Sequence, residues 1–413
     1  MELTPDEDEQ RIFDTMNSLG KPLSTTDLLK NYFFEDGNVN AYERMWKSEF
    51  ERDDATRTYW NRPVSRRRAQ TMIDVFFGAA LQIMVNRFTA ADGSTLGPEE
   101  RKRMSSGDRM MMSYRTFIDQ YCRSAGTSLY EARRAVLREI ITYAGEFRAM
   151  FGADITSRPV YSDPAERLAV FTMDMRLFSP IPYLLYLRRE VRDDTVRNEM
   201  FRILESYLVR RVVANAGAAR YGSLFGELLR RAVRTADALA GCLSQLGSDL
   251  APVSDVRLQQ AFLSETGLSN AEARSVLYLL ETGLFDVRLS SFDLRGLSAY
   301  TLEHLMPVRW EDKWPPQNPD DTLREKRNHA LQTIGNMAIA ADALNKSMSN
   351  SDWHTKLHGN GRSEGLLRHA SGLVTTAGAT DCAVWDVEQI RQRGHRLYEM
   401  ACRQWPALPS GRT

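Results

Sequence analysis

The long stretch from Tyr42 to Ala299 limits the possible folds more than any other part of this chain. Its apolar residues recur at the three- and four-residue spacing of amphipathic helices, and strand-like alternation is scarce. Ser128 and Ser269 are each followed three residues later by a glutamate, a pattern typical of helix starts. We therefore predict a mainly α protein in which residues 41–295 form a helical bundle.

Length and charge bound the remaining possibilities. A chain of 413 residues suggests two or three domains at roughly 150 residues per domain. The 54 basic residues equal the 54 acidic ones, so any surface for nucleic acid must be local. Four arginine clusters are candidate phosphate contacts, although each also fits a solvated helix face. The clusters are Arg66 to Arg68, Arg101 to Arg103, Arg188 and Arg189, and Arg210 and Arg211. The last of these, Arg210 and Arg211, is of most interest.

Cysteine usage and hydropathy point to a cytoplasmic protein. The four cysteines lie far apart and form no Cys-x-x-Cys pair, which argues against both a zinc knuckle and a disulfide scaffold. The acidic, polar N-terminus is not a signal peptide. The longest apolar stretch, Met72 to Val85, is too short to span a bilayer and predicts a buried helix. We expect no membrane association.

One group of residues near the C-terminal end is chemically distinctive. Glu303 and His304 are adjacent, Asn336 follows 32 residues after the histidine, and Asn345 follows nine residues later. Magnesium prefers oxygen ligands, which Glu303 and the side-chain carbonyl of Asn345 supply. His304 is then free to act as a base. The pattern predicts a small hydrolytic metal site that uses Mg²⁺ or Mn²⁺ and no zinc.

Local signals around these residues predict two strands and a helix. Tyr300 to Leu305 is predicted to be a short strand that Pro307 ends. Gly335 is expected to permit a tight turn before a second strand, Met337 to Ala340. Asp342 is a good helix N-cap, which would place Asn345 in the first helical turn. The polar segment Val308 to Asn328 is predicted to be a loop.

This order of elements resembles the HNH, or ββα-metal, nuclease fold. The resemblance implies that His304 is the general base, that Asn336 orients it, and that Glu303 and Asn345 hold the metal ion. The reaction implied is hydrolysis of a DNA phosphodiester, one strand per event. Residues 296–413 are accordingly expected to form an HNH nuclease domain.

Two separate segments are similar to the GmrSD family of modification-dependent, type IV restriction endonucleases. The sequence IFDTMNSLGKPLSTTDLLKNYFF from Ile12 resembles the end of that family's N-terminal sensor domain. The C-terminal signature is met by Thr301 to Pro307, by Ile334 to Met337 and by Leu344 to Lys356. It closes with Trp385, Ile390, Arg393, Leu397 and Trp405. The resemblance implies that Lys356 contacts the scissile phosphate, whereas His329, His354 and His358 are expected to be structural or solvent-facing.

The family's nucleotide-hydrolysing, ParB-like sensor domain should lie upstream of Ile12, where only a short acidic segment is present. Residues 1–40 are therefore expected to be a remnant of that domain, with the sensor on another domain or subunit. We expect no nucleotide to be bound by this chain alone. The exposed apolar faces of the two helices within Ile12 to Phe34 are predicted to dock the sensor.

The resemblance implies a DNA endonuclease, or nickase, that acts as the effector of a phage-defence system against modified DNA. Two alternatives remain open. The first alternative is that the chain is a catalytically inactive DNA-binding or assembly subunit. The second is that it is an HNH nuclease that acts on RNA. The intact set of Glu303, His304, Asn336 and Asn345 argues against an inactive site.

Overall fold

The computed structural model describes residues 24–65, 70–104, 110–284, 294–314, 321–341, 350–360, 364–369 and 372–408. These residues are mostly helical, as the sequence predicts, and the strands among them form two small antiparallel sheets of two strands each. The chain divides into two compact units, residues 1–147 and 148–413. None of the described helices is both long and apolar enough to cross a membrane.

In the first unit, short helices precede three longer ones. The elements are α1 (Thr25–Phe33), α2 (Val39–Ala41), a π-helical segment (Tyr42–Lys47), α3 (Ser48–Phe50), α4 (Asp54–Trp60), β1 (Pro63–Ser65), β2 (Gln70–Thr71), α5 (Met72–Arg87), α6 (Pro98–Met104), α7 (Met110–Ala125) and α8 (Leu129–Met150). The last helix continues into the second unit. The apolar stretch at Met72 forms a largely buried helix, as predicted.

Helix α1 corrects one expectation. Ser24 and Asp27 form the predicted capping box, which starts the helix. Its apolar residues Leu29, Tyr32 and Phe33 are buried inside the first unit, and Phe33 packs edge-on against Tyr114 of α7. This face is therefore not an exposed docking surface, because the unit's own core covers it. The other predicted helix, around Ile12, lies outside the described residues.

The second unit contains the predicted motif and the larger helical core. Its first part comprises α9 (Pro164–Asp174), α10 (Ile181–Glu190), α11 (Asp194–Val213), α12 (Tyr221–Arg230), α13 (Ala236–Ser244), α14 (Asp255–Leu263) and α15 (Asn270–Leu284). Its second part comprises β3 (Tyr300–His304), α16 (Asp321–Leu331), β4 (Met337–Ala341), α17 (Trp353–His358), α18 (Leu366–His369), α19 (Val374–Thr380) and α20 (Val387–Gln404). Helix α16 begins at Asp321, inside the segment Val308 to Asn328, and ends at Leu331, three residues past it. That segment is therefore partly helical rather than entirely a loop.

The two arginines singled out as DNA contacts are buried in α11. Arg210 donates to the carbonyls of Val253 and Trp405 and to a carboxylate oxygen of Asp255. Arg211 donates to the Tyr221 hydroxyl and to three main-chain carbonyls, those of Ala251, Gly217 and Asp249. A buried guanidinium gains free energy by donating to such carbonyls. These arginines tie loops to the helical core and are not available to phosphate.

The predicted hairpin is present. β3 pairs antiparallel with β4, and the register places Tyr300 opposite Ala341 and His304 opposite Met337. Tyr300 packs against Tyr278 of α15, with ring centroids 5.9 Å apart, so the helical core supports one face of the hairpin. A 3₁₀ turn, Ile334–Asn336, leads directly into β4.

Candidate active site

Glu303 and His304 are the last two residues of β3. Side chains of neighbouring strand residues point to opposite faces of a sheet, so the two side chains leave the strand in different directions. Glu303 is buried, whereas His304 is half-buried.

Lys356 lies against the main chain and side chain of this strand end. Its ammonium group donates to the Oε1 atom of Glu303 and, at 2.7 Å, to the main-chain carbonyl of His304. The lysine side chain is fully buried, and α17 carries it there. Asp352 caps the helix and Trp353 packs on Trp385, with ring centroids 5.3 Å apart. The fold therefore fixes this cation beside the carboxylate.

Asn336 holds the segment that follows His304. Its Oδ1 atom accepts from the Met306 amide at 2.8 Å and from the Trp385 indole at 3.2 Å. Its Nδ2 group donates to the carbonyls of Met306 at 2.9 Å and Leu331 at 3.3 Å. A carboxamide has two donors and accepts about two hydrogen bonds, so these contacts use its full capacity. The carboxamide therefore fixes the chain that follows His304. None of these four hydrogen bonds is with the imidazole of His304.

Arg393 of α20 fixes the turn that carries Asn336. The fully buried guanidinium donates to the carbonyls of Gly335 at 2.7 Å, Met337 at 2.8 Å and Thr375 at 3.1 Å. A Cβ atom on Gly335 would lie 2.3 Å from the carbonyl oxygen of Ile390 in the same helix. The glycine is therefore required for close approach of the turn to α20. It does not adopt the left-handed conformation that would make a tight turn the reason.

Burial dominates the electrostatics of the site. It raises the pKa of the Glu303 carboxyl, an effect that the charge of Lys356 opposes. Burial lowers the pKa of Lys356, and Glu303 opposes that change. Burial also lowers the pKa of His304, and the nearby Lys356 charge lowers it further. The imidazole therefore favours its neutral form, which is the form that accepts a proton.

Glu303 offers one carboxylate oxygen, a donor of the kind that a hard divalent cation binds. Oε1 of Glu303 binds Lys356, while Oε2 has no hydrogen-bond partner among the described residues. Among the described residues, no group of three or more histidine, cysteine, aspartate or glutamate side chains is placed to hold a metal ion. Magnesium commonly uses one or two carboxylates and keeps several waters. The predicted ligand Asn345 and the cap Asp342 lie outside the described residues.

The structure adds two residues to the site that the motif did not single out for a role. Trp385 donates to Asn336, and Arg393 binds the turn around it. Both belong to the closing signature recognised in the sequence, and Ile390, Leu397 and Trp405 of that signature are buried as well. The signature indicated their importance but not their contacts, because the partners lie about 50 residues away along the chain or more.

Comparison with known families finds a match, and it covers this region of the chain. Residues 253–400 match the family model of GmrSD restriction endonucleases, C-terminal domain. The match contains every described site residue and supports an endonuclease role, whereas the segment around Ile12 lies outside it. A search of curated proteins found no match to the chain. Residues 253–400 thus belong to the GmrSD restriction endonuclease family, as its C-terminal domain.

Proposed function

We propose that this chain is a metal-dependent DNA endonuclease of the HNH type, which nicks DNA as the effector of a defence system against modified foreign DNA. The observation that carries the proposal is a carboxylate oxygen of buried Glu303 that has no hydrogen-bond partner among the described residues. The next residue of the strand is His304, whose half-buried imidazole has its pKa lowered by burial. Both lie at the end of a braced hairpin within the matched region. A cytoplasmic location is part of this proposal.

In the proposed reaction, His304 takes a proton from the attacking water. Removal of a proton by a positioned base contributes roughly 10²–10⁴-fold to such rates. Glu303, with Asn345, would hold a Mg²⁺ or Mn²⁺ ion. A bound metal ion of this kind polarises the phosphate and stabilises the leaving oxygen.

We infer roles for two residues that differ from the expected ones. Lys356 is fully buried and donates to Glu303 and to the His304 carbonyl, so we infer that it positions the strand end and does not reach the scissile phosphate. Asn336 braces the chain at Met306, so it positions His304 through the main chain. Both are positioning residues in this proposal.

A plasmid-nicking assay tests the function directly. Supercoiled DNA should become nicked with Mg²⁺ or Mn²⁺, should stay intact with a chelator, and should not require zinc. RNA is incubated in parallel. Cleavage of RNA alone would favour the RNA nuclease, and binding without cleavage would favour the inactive subunit. An absolute requirement for stoichiometric zinc would show that the assigned ligands are wrong.

Substrate choice is a second proposal. We infer that discrimination of modified DNA needs a nucleotide-hydrolysing sensor in addition to residues 253–400, which supply a hydrolytic site. This polypeptide alone should hydrolyse neither GTP nor ATP and should nick modified and plain plasmid equally. Nucleotide-stimulated preference for modified DNA by the isolated chain would contradict this inference.

A further inference from the structure

Two histidines occupy the solvent-facing side of α17. His354 and His358 are four residues apart, so they lie on the same face of the helix, one turn from each other. Both side chains are exposed, and their ring centroids are 4.6 Å apart. Neither ring has a hydrogen-bond partner among the described residues. The ring nitrogens are therefore accessible.

The ring separation suits one metal ion held by both imidazoles. An ion about 2.1 Å from a ring nitrogen lies about 3.2 Å from the centre of that ring. Two centres 4.6 Å apart then subtend an angle of roughly 90° at the ion. This is the angle between adjacent ligands in octahedral and tetragonal coordination, the geometries preferred by Ni²⁺ and Cu²⁺. The remaining positions would be filled by water.

The helix that presents the pair is held in place from its other side. A helix of only six residues would be marginal by itself. Asp352 caps it, the indole of Trp353 donates to the Cys382 carbonyl at 2.9 Å, and Lys356 anchors it to β3. The two histidines are thus attached to a backbone that is already ordered, which lowers the entropic cost of chelation.

We propose that His354 and His358 form a chelating site for a first-row transition metal ion, with Cu²⁺ bound more tightly than Ni²⁺. Imidazole nitrogen suits these ions, whereas magnesium prefers oxygen. The site is separate from the one proposed at Glu303, because Lys356, which contacts Glu303, projects from the opposite face of the helix. A bound ion would join adjacent turns of α17 and so stabilise the helix that carries Lys356.

Titration calorimetry with NiCl₂ in a weakly chelating buffer tests the site, and Cu²⁺ is followed by electron paramagnetic resonance. The wild type should bind one Ni²⁺, and the copper spectrum should show coupling to two nitrogens. Loss of a supporting second-shell group already costs roughly 10–100-fold in metal affinity, so H354A or H358A should weaken binding by at least about 10-fold. Both substitutions are at exposed positions, and circular dichroism checks the fold.

Two controls locate the ion. H329A removes an exposed histidine that pairs with Glu265, and it should leave Ni²⁺ affinity unchanged. H304A should also leave it unchanged, because that residue belongs to the other site. Wild-type affinity in the H354A/H358A double variant would overturn the proposal. Absence of saturable binding in the wild type, or loss of binding in H304A alone, would overturn it as well.

Discussion

Two buried ion pairs in the 148–413 unit are built in different ways. In the helical core, Arg167 donates to both carboxylate oxygens of Glu205, to the Thr282 hydroxyl and to the carbonyls of Tyr161 and Leu279. The Trp405 indole also donates to Glu205, at 2.7 Å. At the strand end, Lys356 contacts one oxygen of Glu303 and a single carbonyl, and the other oxygen has no partner among the described residues.

This difference indicates that the Arg167–Glu205 pair is structural, whereas the Lys356–Glu303 pair has a carboxylate oxygen left to bind a ligand. The guanidinium of Arg167 has five N–H donors, and contacts from all three of its nitrogens hold three helices and the C-terminal tryptophan together. A carboxylate that is buried and only partly satisfied carries an energetic cost that a protein retains where it is used. We therefore expect charge changes at Glu205 to affect folding and those at Glu303 to affect chemistry.

The sharpest test of this comparison is the same substitution at both acids. E303Q should abolish measurable cleavage, because the amide keeps the shape of the acid but not the charge that holds a cation. Its loss of stability should be smaller than that of E205Q, because Lys356, unlike Arg167, can release its proton when it loses its counter-charge. E205Q should lower the free energy of unfolding by about 3–5 kcal/mol, because Arg167 loses its counter-charge. Urea denaturation and plasmid nicking are measured on each variant. Equal stability losses with equal residual cleavage would remove the distinction.

His304→Ala should lower the cleavage rate by roughly 10²–10⁴-fold while DNA binding and the circular dichroism spectrum stay unchanged. The imidazole is the proposed base, and its half-buried side chain contributes little to the core. His329→Ala is the matched control, since that histidine lies at the surface and pairs with Glu265. Wild-type cleavage by the His304 variant would exclude the general-base assignment.

Two buried arginines, Arg393 near the candidate site and Arg211 in the helical core, allow the same comparison for residues that hold the main chain in place. R393K should lower cleavage by roughly 10–100-fold, because lysine cannot replace the fork that binds several carbonyls and the turn carrying Asn336 would shift. R211K removes a similar fork from α11, where Arg211 binds the carbonyls of Ala251 and Asp249. That variant should lose stability but keep its cleavage rate per folded molecule. Melting temperature, kcat and DNA affinity are compared well below the transition.

If R393K cleaves at the wild-type rate while H304A does not, the proposed function stands and the positioning role of Arg393 fails. If neither variant differs from a wild type that itself cleaves, the assigned site is wrong. Parallel losses in R393K and R211K would mean that cleavage follows global stability. These outcomes separate the role of the support from the role of the site.

The smallest expected effect belongs to Trp385→Phe. It removes the indole donor to Asn336 Oδ1 while retaining a ring that can stack on Trp353. One buried hydrogen bond contributes about 0.5–1.5 kcal/mol, so cleavage should fall roughly 2–10-fold. Single-turnover rates at saturating metal check this. Unchanged rates would show that the remaining contacts with Met306 and Leu331 are enough to fix the carboxamide.

Local sequence signals predicted the elements that depend on local energetics. The capping boxes at Ser128 and Ser269 form as expected, and their serines and glutamates exchange the characteristic hydrogen bonds. The strand beginning at Tyr300 and the one beginning at Met337 are both present. Such signals can be read from the sequence, because capping and side-chain periodicity involve residues a few positions apart.

Contacts between distant segments were not predictable in the same way. Arg210 and Arg211, candidate phosphate contacts in the sequence, and Lys356, which the family resemblance assigned to the phosphate, carry the right charge, but the fold buries all three. The charge of a side chain does not predict whether it is solvated by water or donates to a main-chain carbonyl, because that depends on which loop packs over it. For the same reason, the roles of Asn336 and Arg393 became visible only from their partners.

By itself, the sequence determined a mainly helical protein, a hairpin ending in an acid and a histidine, and the membership of its C-terminal region in a nuclease family. The tertiary structure decided which charged groups are supports and which remain open to a ligand. The physical reason is that burial and hydrogen-bond satisfaction are set by segments far apart in the chain. Lys356 meets Glu303 across 53 residues, and only the folded chain brings that cation to the acid.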